Sequence, residues 1–376
     1  MQFGLFFELS VPRPFTGDAE RQVFENALEQ ARVADQLGFD YLWAVEHHFL
    51  EEYSHSSAPE LFLTACAMQT TRVRLGHGAV VCVPQMNHPV RVAERAAVLD
   101  ILSGGRLEFG TARSSTWTEL GGFQVDPDTT KKTWDEYVRV LPKMWTQERF
   151  AYAGLSFAMP ERAIIPKPLQ QPHPPLWVTV TSPGTELDAA DRGIGCLGVA
   201  AASYAEQERR TAEYRRRIKL CDPVGAVNER VATLNFLYCH ENPKQAAGTG
   251  LLMLGMFGVL NTHLLSTREA YPTRAYHSLG NLSPRPSSDD GSPGDRRAVP
   301  EGIAIGDPEQ IITAVKRWES VGVDSINFIV NAVEIIPQEQ VLDSLRLFAR
   351  EVMPQFRTSR VAGGTSPESS RAERSR

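Results

Sequence analysis

Short runs rich in β-branched and aromatic residues alternate with longer amphipathic runs along most of the chain, and this rhythm limits the fold more than any other feature. The predicted strands cover residues 2–8, 40–46, 73–81, 106–112, 176–181, 195–199, 231–239 and 324–330. Predicted helices separate almost all of them, at 18–37, 58–69, 89–102, 129–146, 185–192, 204–220, about 244–270 and 308–321. A last one follows at 338–352. Strand–helix alternation implies parallel strands joined by right-handed crossovers. Eight such units fit a closed α/β barrel, the (β/α)8 or TIM architecture, with the helices outside. An open doubly wound sheet accommodates eight strands as well, so closure is inferred from the count.

Local chemistry punctuates the same parsing. Gly38 and Gly322 each stand between a predicted helix and a predicted strand, where glycine can take the left-handed conformation that ends a helix. Asp307-Pro308-Glu309-Gln310 reads as a helix start, with Asp307 as cap, Pro308 at the first helical position and Gln310 reaching back. One barrel domain is expected over residues 1–356. Residues 275–302, dominated by Ser, Pro, Asp and Gly, break the rhythm just before the last strand. A loop of that length inside a compact domain is functional or disordered, and here it is a candidate lid over the barrel mouth. Residues 357–376 read as a polar, disordered tail.

Composition narrows the function classes. The formal net charge of −6 argues against a nucleic-acid partner, which selects for a basic surface. No apolar run approaches the 18 or so residues that span a bilayer. The first eight residues, Met1 to Glu8, lack the basic start and small-residue cleavage site of a secretory signal. The five cysteines, at 66, 82, 196, 221 and 239, are odd in number and contain no C-x-x-C. Reduced thiols in a cytoplasmic protein are expected, with no metal site and no disulfide framework.

In a barrel of this kind the chemistry sits at the C-terminal ends of strands. Three predicted ends are informative: Glu46-His47-His48-Phe49, Thr111-Ala112-Arg113-Ser114-Ser115 and Thr181-Ser182-Pro183-Gly184-Thr185. Neighbouring strand residues point to opposite faces, so His47 and His48 do not converge on one ion. One histidine facing the pocket as acid/base is the better reading, since imidazole titrates near neutral pH. Arg113 offers a fork of donors matched to phosphate. Ser182 and Thr185 offer hydroxyls, and a helix starting near Pro183 is expected to present free N–H groups at its positive end. Gly193-Ile194-Gly195-Cys196-Leu197-Gly198 matches G-x-G-x-x-G. It follows a helix and enters a strand, the reverse of the dinucleotide fingerprint, and is rejected as a nicotinamide site.

These residues, together with Met1-to-Phe7, His88-Pro89-Val90-Arg91-Val92-Ala93-Glu94, the Leu99-to-Gly110 segment with Ser103-Gly104-Gly105-Arg106, and Asp343-to-Phe348 with Val352-Met353-Pro354, resemble the bacterial luciferase-like flavin monooxygenase family, including its alkanal monooxygenase α-like members. The resemblance runs to about residue 356. It implies a (β/α)8 barrel and an oxidoreductase that uses reduced FMN or, in one branch, F420. In the monooxygenase branch it implies a flavin C4a-hydroperoxide formed with O2, which oxygenates an aldehyde or ketone or hydroxylates a small substrate. Reduced FMN then comes from a separate flavin reductase, and a homodimer is expected. His47 falls on the family's catalytic histidine and His48 on its neighbour in the pocket wall. Arg113 and Lys132 fall on phosphate-binding basic positions, and Thr181, Ser182 and Thr185 on the phosphate loop. Gly78 and Ala79 fall where a non-proline cis peptide often lies beside the flavin ring. Three positions depart from the pattern: Ala112 stands where the luciferase catalytic subunit has cysteine, Thr181 replaces an acid, and Lys132 replaces an arginine and loses its fork. An F420-dependent oxidoreductase and a non-catalytic luciferase-like subunit are the alternative readings.

Overall fold

The computed structural model describes residues 1–114, 116–182, 184–199, 203–266 and 298–357. In chain order its strands are β1 (Gln2–Phe7), β2 (Tyr41–Ala44), β3 (Arg74–His77), β4 (Val80–Val81), β5 (Leu107–Ala112), β6 (Phe150–Ala153), β7 (Ala158–Arg162), β8 (Leu176–Val180), β9 (Gly195–Val199), β10 (Val231–Cys239), β11 (Ala304–Gly306) and β12 (Ser325–Ile329). The helices are α1 (Ala19–Leu37), α2 (Pro59–Gln69), α3 (Pro89–Leu102), α4 (Trp117–Gly122), α5 (Thr130–Thr146), α6 (Thr185–Asp191), α7 (Tyr204–Ile218), α8 (Pro243–Ser266), α9 (Pro308–Ser320) and α10 (Gln338–Leu347). Among the described residues no helix is long and apolar enough to cross a membrane.

The barrel closes. β1 pairs with β2, β2 with β3, β3 and β4 with β5, and then β8, β9, β10 and β12 follow in turn before β12 returns to β1, every pairing parallel. Parallel strands covered on both faces read as continuous apolar runs, and all five residues of β12 are buried, as are all four of β2. The expected caps are present. Gly38 and Gly322 take φ of 93° and 85°, and Asp307 and Gln310 form a reciprocal capping box at the start of α9.

The differences from the sequence reading have local causes. The strand expected over 73–81 is two short strands, interrupted where the Gly78–Ala79 peptide is cis. The antiparallel β6–β7 hairpin was not expected; its strands are mostly exposed and too short to show a period. β11 is only three residues long and extends the sheet beside the outer half of β10, Leu237 against Ala304. The helix expected over 338–352 ends as a π-helical turn at Phe348–Val352. The candidate lid lies outside the described residues except for 298–302, and the expected tail lies outside them except for Arg357, whose guanidinium bonds the Gly38 carbonyl.

A polar plug fills the N-terminal end of the barrel. Glu108 on β5 is wholly buried and bonded by Arg74 of β3, by Arg230 just before β10 at 3.1 Å and by the Trp177 indole of β8 at 2.6 Å. Arg230 also bonds the Tyr41 hydroxyl at 2.7 Å and lies over the Trp177 ring. Above the plug Trp43 and Trp177 meet edge to face at 5.5 Å. Gly76 admits the Trp43 ring, since an added Cβ there meets Trp43 at 2.1 Å. Glu108→Ala is expected to lower stability in urea unfolding by roughly 2–3 kcal/mol. That is below the cost of a fully buried broken pair, because both arginines keep solvent access.

Candidate active site

The C-terminal rim of the barrel carries the residues singled out by sequence. Strand order places β2, β3–β4, β5 and β8 side by side, so His47 and His48, Gly78 and Ala79, Arg113, and Thr181 and Ser182 occupy successive strand ends.

His47 is the most constrained of them. Its Nδ1 meets Glu119 Oε1 at 2.9 Å, and its Nε2 faces Glu8 Oε2 at 3.9 Å. Glu119 is wholly buried on α4 and takes four donors: His47, the His48 backbone N–H at 3.1 Å, and the hydroxyls of Ser114 and Thr116, each at 2.8 Å. Burial alone would lower the His47 pKa, but the charge and hydrogen bond of Glu119 outweigh it and lift the imidazole from 6.5 to about 9. For Glu119, burial is outweighed by His47 and the two hydroxyls, and its pKa is lowered. Burial pushes Glu8 up to about 7. The rim therefore holds a charged imidazole at neutral pH, with one carboxylate ionised and one near its midpoint.

The two histidines turn to different carboxylates. His48 Nε2 meets Glu46 Oε1 at 3.0 Å, and its ring packs edge-on to Phe123 at 5.1 Å. Glu46 also accepts from the Val81 N–H at 2.8 Å and from the Asn87 side chain at 2.6 Å. Asn87 is held in turn by Arg95 of α3 at 2.7 Å, and Arg95 pairs with Glu60 of α2 at 2.7 Å. Gly78 and Ala79 are buried behind this wall, and a Cβ at Gly78 would lie 2.7 Å from the Phe6 ring.

The anion site differs from expectation in one respect. Helix α6 begins at Thr185, and two of the N–H groups at its start are taken. Gly184 N–H donates to Glu186 Oε2 at 3.0 Å and Thr185 N–H to the Ser182 carbonyl at 3.2 Å. An anion here would rely mainly on side chains. Arg113 and Ser182 are half-buried, Thr181 is exposed and Thr185 is buried. Gly184, at φ 87°, has open space where a Cβ would project. Lys132 is exposed in the first turn of α5, and its neighbour Lys131 pairs with Asp188 of α6 at 2.6 Å, which brings that turn to α6. A guanidinium, hydroxyls and an open glycine suit a flavin phosphate.

Sequence reasoning missed Glu119, Glu8 and Tyr53. Thr116-Trp117-Thr118-Glu119 is a capping-box pattern, and Thr116 Oγ1 does accept from the Glu119 N–H at 3.2 Å. The Glu119 carboxylate goes to the histidine instead of back to the cap. Glu8 was legible as an acid at the end of the first strand.

A family model described as luciferase-like monooxygenase matches residues 1–325. The chain belongs to the luciferase-like monooxygenase family. It is 34% identical over 202 residues to the uncharacterized protein y4wF of Sinorhizobium fredii, a match spanning 53% of this chain and 57% of that protein's length. It is 24% identical over 368 residues to the oxygenase component of the flavin-dependent trigonelline monooxygenase of Acinetobacter baylyi, covering 96% and 97% of the two chains. The solved structure of the monooxygenase RslO1 from Streptomyces bottropensis superposes with a TM-score of 0.78 at 25% identity, over 95% of this chain and all of that one.

The paired pKa changes fix a pH dependence. His47 is raised, so its share of stability is full below its ordinary 6.5 and is lost as pH rises through about 9. Glu119 is lowered, so its share is full above its ordinary 4.5 and is lost in more acid solution. Urea midpoints of wild type and Glu119→Gln are therefore expected to differ most between about pH 4.5 and 6.5 and to converge on either side.

Proposed function

We propose that this chain is the oxygenase component of a two-component flavin-dependent monooxygenase that takes reduced FMN from a separate flavin reductase and uses O2 to oxygenate a small organic substrate. One observation carries the reading. A charged imidazole clamped by Glu119 and a half-buried arginine stand on neighbouring parts of one barrel rim. The family supports it, as does a relative described as an oxygenase component. The bound flavin supplies the electrons that activate O2. Arg113 with Ser182, Thr181 and Thr185 binds its phosphate, and Lys132 adds charge. His48 would form the wall beside the ring, with Gly78 and Ala79 behind it. His47 holds a proton at Nε2 for the oxygen that reacts, so its first act is as an acid. An aldehyde, a ketone or a carbon centre to be hydroxylated all suit this chemistry.

The test is an anaerobic titration with reduced FMN, oxidised FMN and F420, followed by O2, with product measured against hydrogen peroxide. Reduced FMN is expected to bind. Arg113→Ala is expected to weaken it about 10- to 100-fold, the scale of one lost charge-assisted hydrogen bond. His47→Ala is expected to keep the affinity and lower coupled oxygenation by roughly 10²–10⁴. Binding of F420 without reduced FMN overturns the cofactor reading, and unchanged turnover in His47→Ala overturns the catalytic one.

The homodimer that goes with this reading has a matching apolar face. Leu61 and Met68 on α2, and Val98, Ile101 and Leu102 on α3, are exposed on helices that pack against each other. Sedimentation is expected to give a dimer for the wild type and a monomer for Leu61→Glu with Ile101→Glu, since burying a charge there is costly.

A further inference from the structure

Two buried carboxylates flank the His47 ring, and they are not equivalent. Glu119 is saturated by four donors. Glu8, at the end of β1 and 7% exposed, accepts only a long bond on Oε1 from the Tyr53 hydroxyl at 3.4 Å. Among the described residues its Oε2 is buried without a hydrogen-bond partner, 3.9 Å from His47 Nε2. That gap is too long for a hydrogen bond. A buried carboxylate oxygen without a donor is costly, and the imidazole is the donor or acceptor it faces.

We propose that Glu8 is the proton reservoir of His47: once Nε2 has given its proton to the reacting oxygen, the Glu8 acid turns and replaces it. In the step the O–H bond of Glu8 breaks as the N–H bond at Nε2 forms. The neutral imidazole becomes imidazolium, the acid becomes carboxylate, and no electron changes hands. Glu8 then recovers a proton from solvent by way of Tyr53, a half-buried residue whose hydroxyl donates to Oε1. The open gap serves the order of events, because Nε2 is free to donate outward before Glu8 engages it. Glu119 fixes the ring through Nδ1 throughout. The groups facing Glu8 are His47, Tyr53 and Glu119, and those facing His47 are Glu119, Glu8 and Glu46. Burial keeps part of the Glu8 population protonated near neutral pH, while Glu119 stays ionised. Two carboxylates pushed apart in this way divide the roles of store and anchor. Glu8 thus acts through His47 as a positioning residue, and the inference rests on the proposed role of His47.

The test begins with the flavin-free protein carrying ¹⁵N-labelled histidine. NMR titration of the His47 ring is expected to show two steps in wild type, one from Glu8 and one from the ring itself. Glu8→Gln, which keeps the shape and the acceptor for Tyr53, is expected to leave a single step, lower by about one pH unit. Glu8→Asp is expected to restore the second step. In the reduced-FMN-loaded enzyme Glu8→Gln is expected to lower kcat about tenfold, less than the ~10²–10⁴ of the acid itself, with KM unchanged and the loss partly rescued by Glu8→Asp. An identical His47 titration in wild type and Glu8→Gln overturns the reservoir, even where His47→Ala abolishes oxygenation. Failure of reduced FMN to bind overturns the proposed function, and the coupling seen in the flavin-free titration still stands.

Discussion

The pairing of β9 with β10 and of β12 with β1 turns eight parallel strands into a ring in which each has neighbours on both edges. Closure removes sheet edges and leaves the interior to be filled by side chains. Here the N-terminal end is filled by Glu108, its two arginines and the indole of Trp177, with Trp43 above them. With that end sealed, the C-terminal rim is where strand ends meet loops, and a few side chains there are set by the register of the ring. Arg113 and His47 come from separate stretches of chain and share one rim because β2, β3–β4 and β5 are neighbours.

The electrostatics of the rim follow from burial acting on unequal partners. Glu119 has enough donors to stay ionised in a dry place, and its charge holds the imidazole protonated. Glu8 has too few donors and is pushed toward its neutral form. The same residue type therefore has two states a few ångströms apart, one on each side of a single ring. His48 is outside this pair, because its ring belongs to Glu46.

The strand–helix rhythm made the barrel legible, since all eight barrel strands and most of the outer helices are long enough to show their periods. The elements that escaped are short or exposed: the three residues of β11, the six of α4 and the exposed β6–β7 hairpin. At the site, His47 and Arg113 stood out by residue type and position at predicted strand ends. Glu119 did not, because its link to His47 crosses 71 intervening positions and depends on how α4 folds back. Free N–H groups were expected at the start of α6; one of them is taken for a local reason, since Glu186 lies close enough to accept from Gly184 itself.

Glu46 deserves a place in any redesign of this protein. Its carboxylate joins the His48 ring, the backbone of β4 and Asn87, and Asn87 leads through Arg95 to Glu60 on the outer helices. The pocket wall and the outer shell are thus one continuous string of polar contacts. Glu46, Asn87, Arg95 and Glu60 therefore change safely only as a set.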